Sequence, residues 1–127
     1  MRRTDQRRKA VFALYQADLT GRPLADLLAP DATAFTRELA EGVGTTREQL
    51  DALIERHATG WTLDRIAPLE RSILRVALYE LLHRSDIPAE VAIDEAVETA
   101  KELCGVDAPG FVNGILGAVQ RAEVASR

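Results

Sequence analysis

The chain has 127 residues, 46% hydrophobic and 28% charged, with a formal net charge of −4 at pH 7; this suits one soluble domain with a real core. The negative total excludes a protein that binds polyanions over its whole surface, and a single cysteine, Cys104, excludes an internal disulfide framework or a cysteine-rich metal site. No run of eighteen apolar residues occurs, and Tyr15, Gln16 and Asp18 interrupt the stretch that a secretion signal would need after Lys9, so the expected location is a reducing cytoplasm, with no membrane span.

Charge is distributed unevenly. Residues 1–9 hold Arg2, Arg3, Arg7, Arg8 and Lys9 against Asp5 alone, which leaves an excess of eight negative charges on the rest of the chain. A first helix is predicted from about Thr4 to Leu19, with Ala10, Val11, Leu14 and Tyr15 inward and Gly21 as its stop. Cations in its first turns oppose the helix dipole, at about 0.3–1 kcal/mol each. Local stability does not select such an arrangement, so the basic tip reads either as a site for an anionic partner or as a solvated, frayed terminus.

Pro23 opens a brief helical turn with Leu24, Leu27 and Leu28. Phe35, Leu39 and Val43 then step by four, and the pattern predicts a break at Gly42–Gly44. Thr45 and Glu48 read as a capping box for a further helix carrying Leu50, Leu53, Ile54 and His57 on one face, closed by Gly60. Trp61 reads as a hydrophobic plug between two helical halves.

The central helix begins at Pro68 with Glu70 in its first turn. Leu69, Ile73, Val76, Ala77 and Leu81 form one stripe, and Leu74, Leu78 and Leu82 a second beside it, which predicts burial on two sides. Pro88 opens the next helix; Ala92, Ile93, Ala96, Val97, Ala100 and Cys104 face the core, while Glu90, Asp94, Glu95, Glu98 and Glu102 form an acidic face read as solvated. The last helix starts near Asp107 or Ala108, with Val112, Ile115, Leu116 and Val119 inward. Gly110, Gly114 and Gly117 predict a backbone pressed close against another element.

No catalytic constellation emerges. His57 has no histidine nearby in sequence, the acidic face lacks the Glu-x-x-His pattern of a di-iron bundle, and no phosphate loop or strained nucleophile turn is present. Neither metal nor cofactor is expected, and the residues argue for a binding protein rather than an enzyme. An RNA-binding module, with Arg7 and Phe111 as candidates for reading bases, and a helix-mediated protein adaptor remain equally open on these grounds.

The ordered blocks RKAVFALYQADL (Arg8–Leu19), GWTLDRI (Gly60–Ile66), LERSILRVALYELL (Leu69–Leu82), DIPAEVAIDEAVETAKEL (Asp86–Leu103) and GFVNGIL (Gly110–Leu116) resemble the transcription antitermination factor NusB family over almost the whole chain. The resemblance implies an all-α fold of two three-helix bundles, an N-terminal subdomain over about residues 1–60 and a C-terminal one over about 61–127, and no catalytic activity. It implies a factor that binds box A leader RNA with the ribosomal protein also called NusE, and joins other Nus factors on RNA polymerase during rRNA transcription. Carried over by position, Arg3, Arg7, Arg8, Lys9, Asp107 and Phe111 are the expected RNA-binding residues. Glu70 and Asp64 are expected at the NusE interface, and Asn113 is expected to satisfy buried backbone groups. A homodimer or protein adaptor without specific RNA affinity is the alternative.

Overall fold

The computed structural model describes residues 1–124, and its regular structure is helical throughout, with no strand among the described residues. Residues 125–127, the end of the expected C-terminal subdomain, lie outside them. Helices α1 (Arg3–Thr20), α2 (Leu24–Leu27) and α3 (Ala34–His57) form one bundle, and α4 (Pro68–His83), α5 (Ala89–Leu103) and α6 (Ala108–Val119) the other. A 3₁₀ turn, Leu63–Arg65, leads into α4, and a π-helical turn, Gln120–Val124, follows α6.

Helix α4 is the common element: α1, α3, α5 and α6 all pack against it. Both of its apolar stripes are covered, with Ile73, Leu74, Val76, Ala77, Leu78 and Leu81 almost wholly removed from solvent. Burying each large aliphatic side chain contributes about 1.5–3 kcal/mol, and one continuous apolar cluster runs from Ala10 on α1 to Val119 on α6. The ends obey local chemistry. Pro68 occupies the first turn of α4, and Gly21 adopts φ 72° to donate its N–H back to the Ala17 carbonyl at 3.0 Å.

Two expectations about glycine fail, for different reasons. The segment Ala34–His57 is one unbroken 24-residue helix, not two, and its cap is Thr33, whose hydroxyl accepts from the Thr36 N–H at 3.2 Å. Thr45 and Thr46 sit mid-helix and donate their hydroxyls to the Gly42 carbonyl, at 3.1 and 2.7 Å. Gly42 is required by packing: a Cβ there would overlap the ring of Tyr79 on α4, whereas one at Gly44 would meet open space. Tertiary contact with α4 outweighs the roughly 1 kcal/mol that each glycine costs a helix.

Gly42→Ala is therefore expected to destabilise the fold by about 1–3 kcal/mol through overpacking, and Gly44→Ala to stabilise it by about 0.5–1 kcal/mol. Opposite shifts of the urea midpoint check the pair; equal shifts would place Tyr79 elsewhere.

The glycines of α6 are the second failure. Gly110 and Gly114 face open space, and Gly117 meets only the Arg121 guanidinium, at 3.3 Å. Helix α6 is held by its other face, through Val112, Ile115, Leu116 and Val119. Asn113 shares the open side and makes no side-chain hydrogen bond among the described residues, so it satisfies no buried backbone group.

Candidate nucleic-acid interface

The expected RNA residues on α1 separate into three environments. Arg7 is buried: its Nε donates to both carboxylate oxygens of Glu80, at 2.9 and 3.0 Å, and Nη2 lies 2.8 Å from Oε1. Glu95 lies 3.9 Å from Nη1. Burial pushes the Glu80 carboxyl up, against the pull of Arg7. The side chain expected to meet phosphate is instead a core ion pair joining α1 to α4. Its position explains this, because Arg7, Ala10, Val11 and Leu14 share the buried face of α1.

Arg8 is partly exposed and engaged. Its Nη1 lies 2.6 Å from Glu102 Oε2 on α5, which holds the Glu102 carboxyl below its usual range, while its buried Nε has no partner. Lys9 is exposed and makes no ion pair among the described residues. Arg3 is exposed, and its guanidinium carbon sits 4.3 Å from the Phe35 ring centroid. Arg7 and Arg84 approach the same ring at 5.3 and 5.4 Å. Arg84 is fixed by Asp86, at 2.9 and 2.8 Å, and by Glu38, at 2.8 Å; this pairing holds the Asp86 carboxyl at about 2.

The acidic side of α5 is not simply solvated. Thr4 donates its hydroxyl to Glu95 at 2.8 Å, and Arg2 at the N-cap of α1, with Asp5 and Arg8 of α1, faces Asp94, Glu98 and Glu102 across an open groove of about 620 Å³. Part of the positive charge of the tip is thus neutralised within the chain. The sequence signal was two helices of opposite charge; only their juxtaposition was missing.

A second site lies at the first turns of α4 and α6. Trp61, expected as a buried plug, is 50% exposed and meets Phe111 edge to face, with centroids 5.9 Å apart and planes at 68°. The two rings, with Arg65, Ile66, Glu70 and Asp107, line a concavity of about 300 Å³. Two expected RNA residues, Asp107 and Phe111, thus share a pocket with the expected partner residue Glu70. Burial alone pushes the Glu70 carboxyl up, and neither Glu70 nor Asp107 has a side-chain hydrogen bond or ion pair among the described residues. Asp64 is not in the pocket lining; it accepts from the Thr62 hydroxyl at 2.6 Å, which holds its carboxyl low.

Other polar groups are structural. Arg75 of α4 is buried, 2.7 Å from both Asp18 and Asp51, with Arg47 also 2.7 Å from Asp18. His57 Nε2 is buried without a partner. Cys104 is a free, partly buried thiol, pushed up by burial and then by Glu70. Among the described residues no group of three or more His, Cys, Asp or Glu is placed to hold a metal ion, and no helix is long and apolar enough to cross a membrane.

Fold and surface together define a class: an all-helical protein of two packed three-helix bundles, with a basic tip and an acid-lined aromatic pocket near opposite ends of its central helix. The NusB family model matches residues 4–121, and the chain belongs to the NusB family. It is 46% identical to the transcription antitermination protein NusB of Saccharopolyspora erythraea, over 92% of this chain and 85% of that one. Among solved structures, T. maritima NusB superposes with a TM-score of 0.89 at 33% identity, covering 96% of this chain and 92% of that one. The NusB chain type found in a crystal structure of antitermination factors NusB and NusE in complex with dsRNA superposes at 0.85 and 27% identity, over 94% and 96% of the two chains.

Proposed function

We propose that this chain is an RNA-binding transcription antitermination factor that takes box A leader RNA together with NusE and joins other Nus factors on RNA polymerase during rRNA transcription. Family membership supports the antitermination role, and the solved NusB and NusE complex with dsRNA supports the two partners. The observation that carries the reading is the exposed pair Arg3 and Lys9, which make no ion pair among the described residues on a tip whose other cations are partly engaged. Arg3, Arg8, Lys9, Asp107 and Phe111 are the proposed RNA contacts, with Glu70 and Asp64 toward NusE. Arg7 acts by holding the tip rather than by touching phosphate.

Each phosphate contact neutralised by a cation contributes a counterion term to the salt dependence. Lys9→Ala is expected to weaken RNA binding several-fold and lower the salt slope by about one. Arg8→Ala should have a smaller effect, because Arg8 must first leave Glu102. Glu102→Gln should tighten binding by loosening that pair. Titrating labelled box A RNA and a scrambled control, with and without NusE, at two salt concentrations checks these outcomes. Preference for box A that NusE strengthens sustains the reading; equal or absent binding of both RNAs sinks it.

A protein-only adaptor is the second reading. It is favoured by the exposed Phe12 and Leu19 on the outer side of α1 and by the internal neutralisation of the tip. Salt-sensitive self-association without RNA affinity is its signature.

A further inference from the structure

The setting of Trp61 is unusual for a tryptophan. It follows Gly60, whose φ of 82° turns the chain out of α3, and it stands half exposed rather than in the core. Tryptophan is highly buried on average, and its ring, apolar with one polar edge, is enriched where a partner docks. The adjoining concavity, about 300 Å³, has room for one planar heterocycle with solvent to spare.

The lining narrows the occupant. Trp61 and Phe111 meet edge to face, so they supply an aromatic corner against which a flat ring stacks. Glu70 and Asp107 are acceptors without partners. Two carboxylates repel a phosphate, so a nucleic-acid backbone must stay at the rim, where Arg65 is the cation of the lining. What enters is neutral, flat and carries N–H donors on its edge. An unpaired nucleobase has these properties, and bases with an exocyclic amino group present donors that a carboxylate accepts.

A short stretch of chain joins the pocket to the proposed RNA surface. Glu102, which holds Arg8, lies on the last turn of α5, and the chain reaches Asp107 five residues later.

We infer that Trp61 is a base-stacking residue of this protein, forming with Phe111 a subsite for one unpaired, amino-bearing base of single-stranded RNA whose edge is read by Asp107. The inference rests on the RNA-binding reading and adds to it a residue and a preference. Amino-bearing bases should occupy the subsite better than uracil, whose edge offers a single N–H.

Trp61 is the only tryptophan in the chain, so its emission reports the subsite directly. The experiment titrates the intact protein, with and without NusE, with fluorescein-labelled single-stranded dodecamers of mixed sequence and of uridine alone. Anisotropy reads binding and indole emission reads stacking. The expected result is quenching of Trp61 in step with binding, less with oligouridine, and an affinity loss of about 5- to 100-fold in Trp61→Ala that Trp61→Phe largely restores. Circular dichroism establishes that the variants fold, and the wild-type emission stands independently of them. If anisotropy rises while the emission of Trp61 stays fixed and Trp61→Ala binds as wild type, the subsite is refuted and RNA binding survives. If NusE alone shifts the emission and RNA adds nothing, the pocket belongs to a protein partner and the inference fails. If wild type binds neither RNA at low salt, the RNA reading itself falls.

Discussion

Arg7→Ala is expected to cost about 3–5 kcal/mol of folding stability, the typical penalty for leaving a buried charge without its partner. With total stabilities of about 5–15 kcal/mol for a domain, that is a large fraction. The argument is geometric. Three guanidinium contacts, at 2.8 to 3.0 Å, serve the carboxylate of Glu80, which has almost no solvent exposure. Burial already favours the protonated form of Glu80, and without Arg7 its folded-state pKa rises further. A carboxyl raised above its unfolded value loses stability as pH climbs through the folded pKa, so the deficit of Arg7→Ala should be larger at pH 8 than at pH 5.

The double variant Arg7→Leu/Glu80→Leu should recover most of the loss, because apolar residues of similar volume replace a buried pair at little net cost. Urea melts of wild type, the two singles and the double complete the cycle. A double variant as unstable as the singles would show that the pair stabilises the fold on balance. The same variant separates structure from binding: folded and deprived of Arg7, it should keep the RNA affinity set by Arg3, Arg8 and Lys9.

The second large effect is expected at Arg75. Its guanidinium joins α4 to Asp18 on α1 and Asp51 on α3, three helices through one buried fork. Arg75→Ala leaves two carboxylates facing each other across a small cavity with Arg47 and, at 3.9 Å from Asp18, Arg71 to compensate, a loss of about 3–5 kcal/mol. Arg75→Lys should not restore it, since an ammonium cannot serve both carboxylates with the same planar geometry. Desolvation raises the Asp18 pKa, but the hydrogen bonds and charges of Arg47 and Arg75 outweigh it and hold the value below the ordinary one. Its stabilisation is present above the unfolded pKa and lost as pH falls through the folded one. The gap between wild type and Arg75→Ala should therefore narrow from pH 7 toward pH 3, as read by thermal melts; a gap that is flat with pH would remove Asp18 from the account.

Periodicity made the helices legible, and the same periodicity held information that charge obscured. Ile73, Val76, Ala77 and Glu80 step by three and four, as do Arg7, Ala10, Val11 and Leu14. An arginine and a glutamate each on a buried stripe indicate a core ion pair, yet grouping Arg7 with its basic neighbours hid its face. Glycine misled twice because its meaning depends on what lies opposite: Tyr79 accounts for Gly42, and open solvent lies beside Gly110 and Gly114. No local rule supplies that. Trp61 was misplaced because bulk alone argued for the interior, although the turn at Gly60 and the polar Thr62 beside it mark a surface corner. The pocket itself joins residues up to fifty positions apart, Trp61 to Phe111, and pairing at that distance follows only from the fold.

The ring of Tyr79 seated in the notch at Gly42 works as a detent. A one-residue slip of α3 along α4 would bring a side chain against that ring, so the contact opposes sliding of the two helices. Glu70 at the pocket and Glu80 beneath the tip lie ten residues apart on α4, about 15 Å by helical rise. On the proposed RNA-binding reading, a strand held at both ends is selected by its length as well as by its bases.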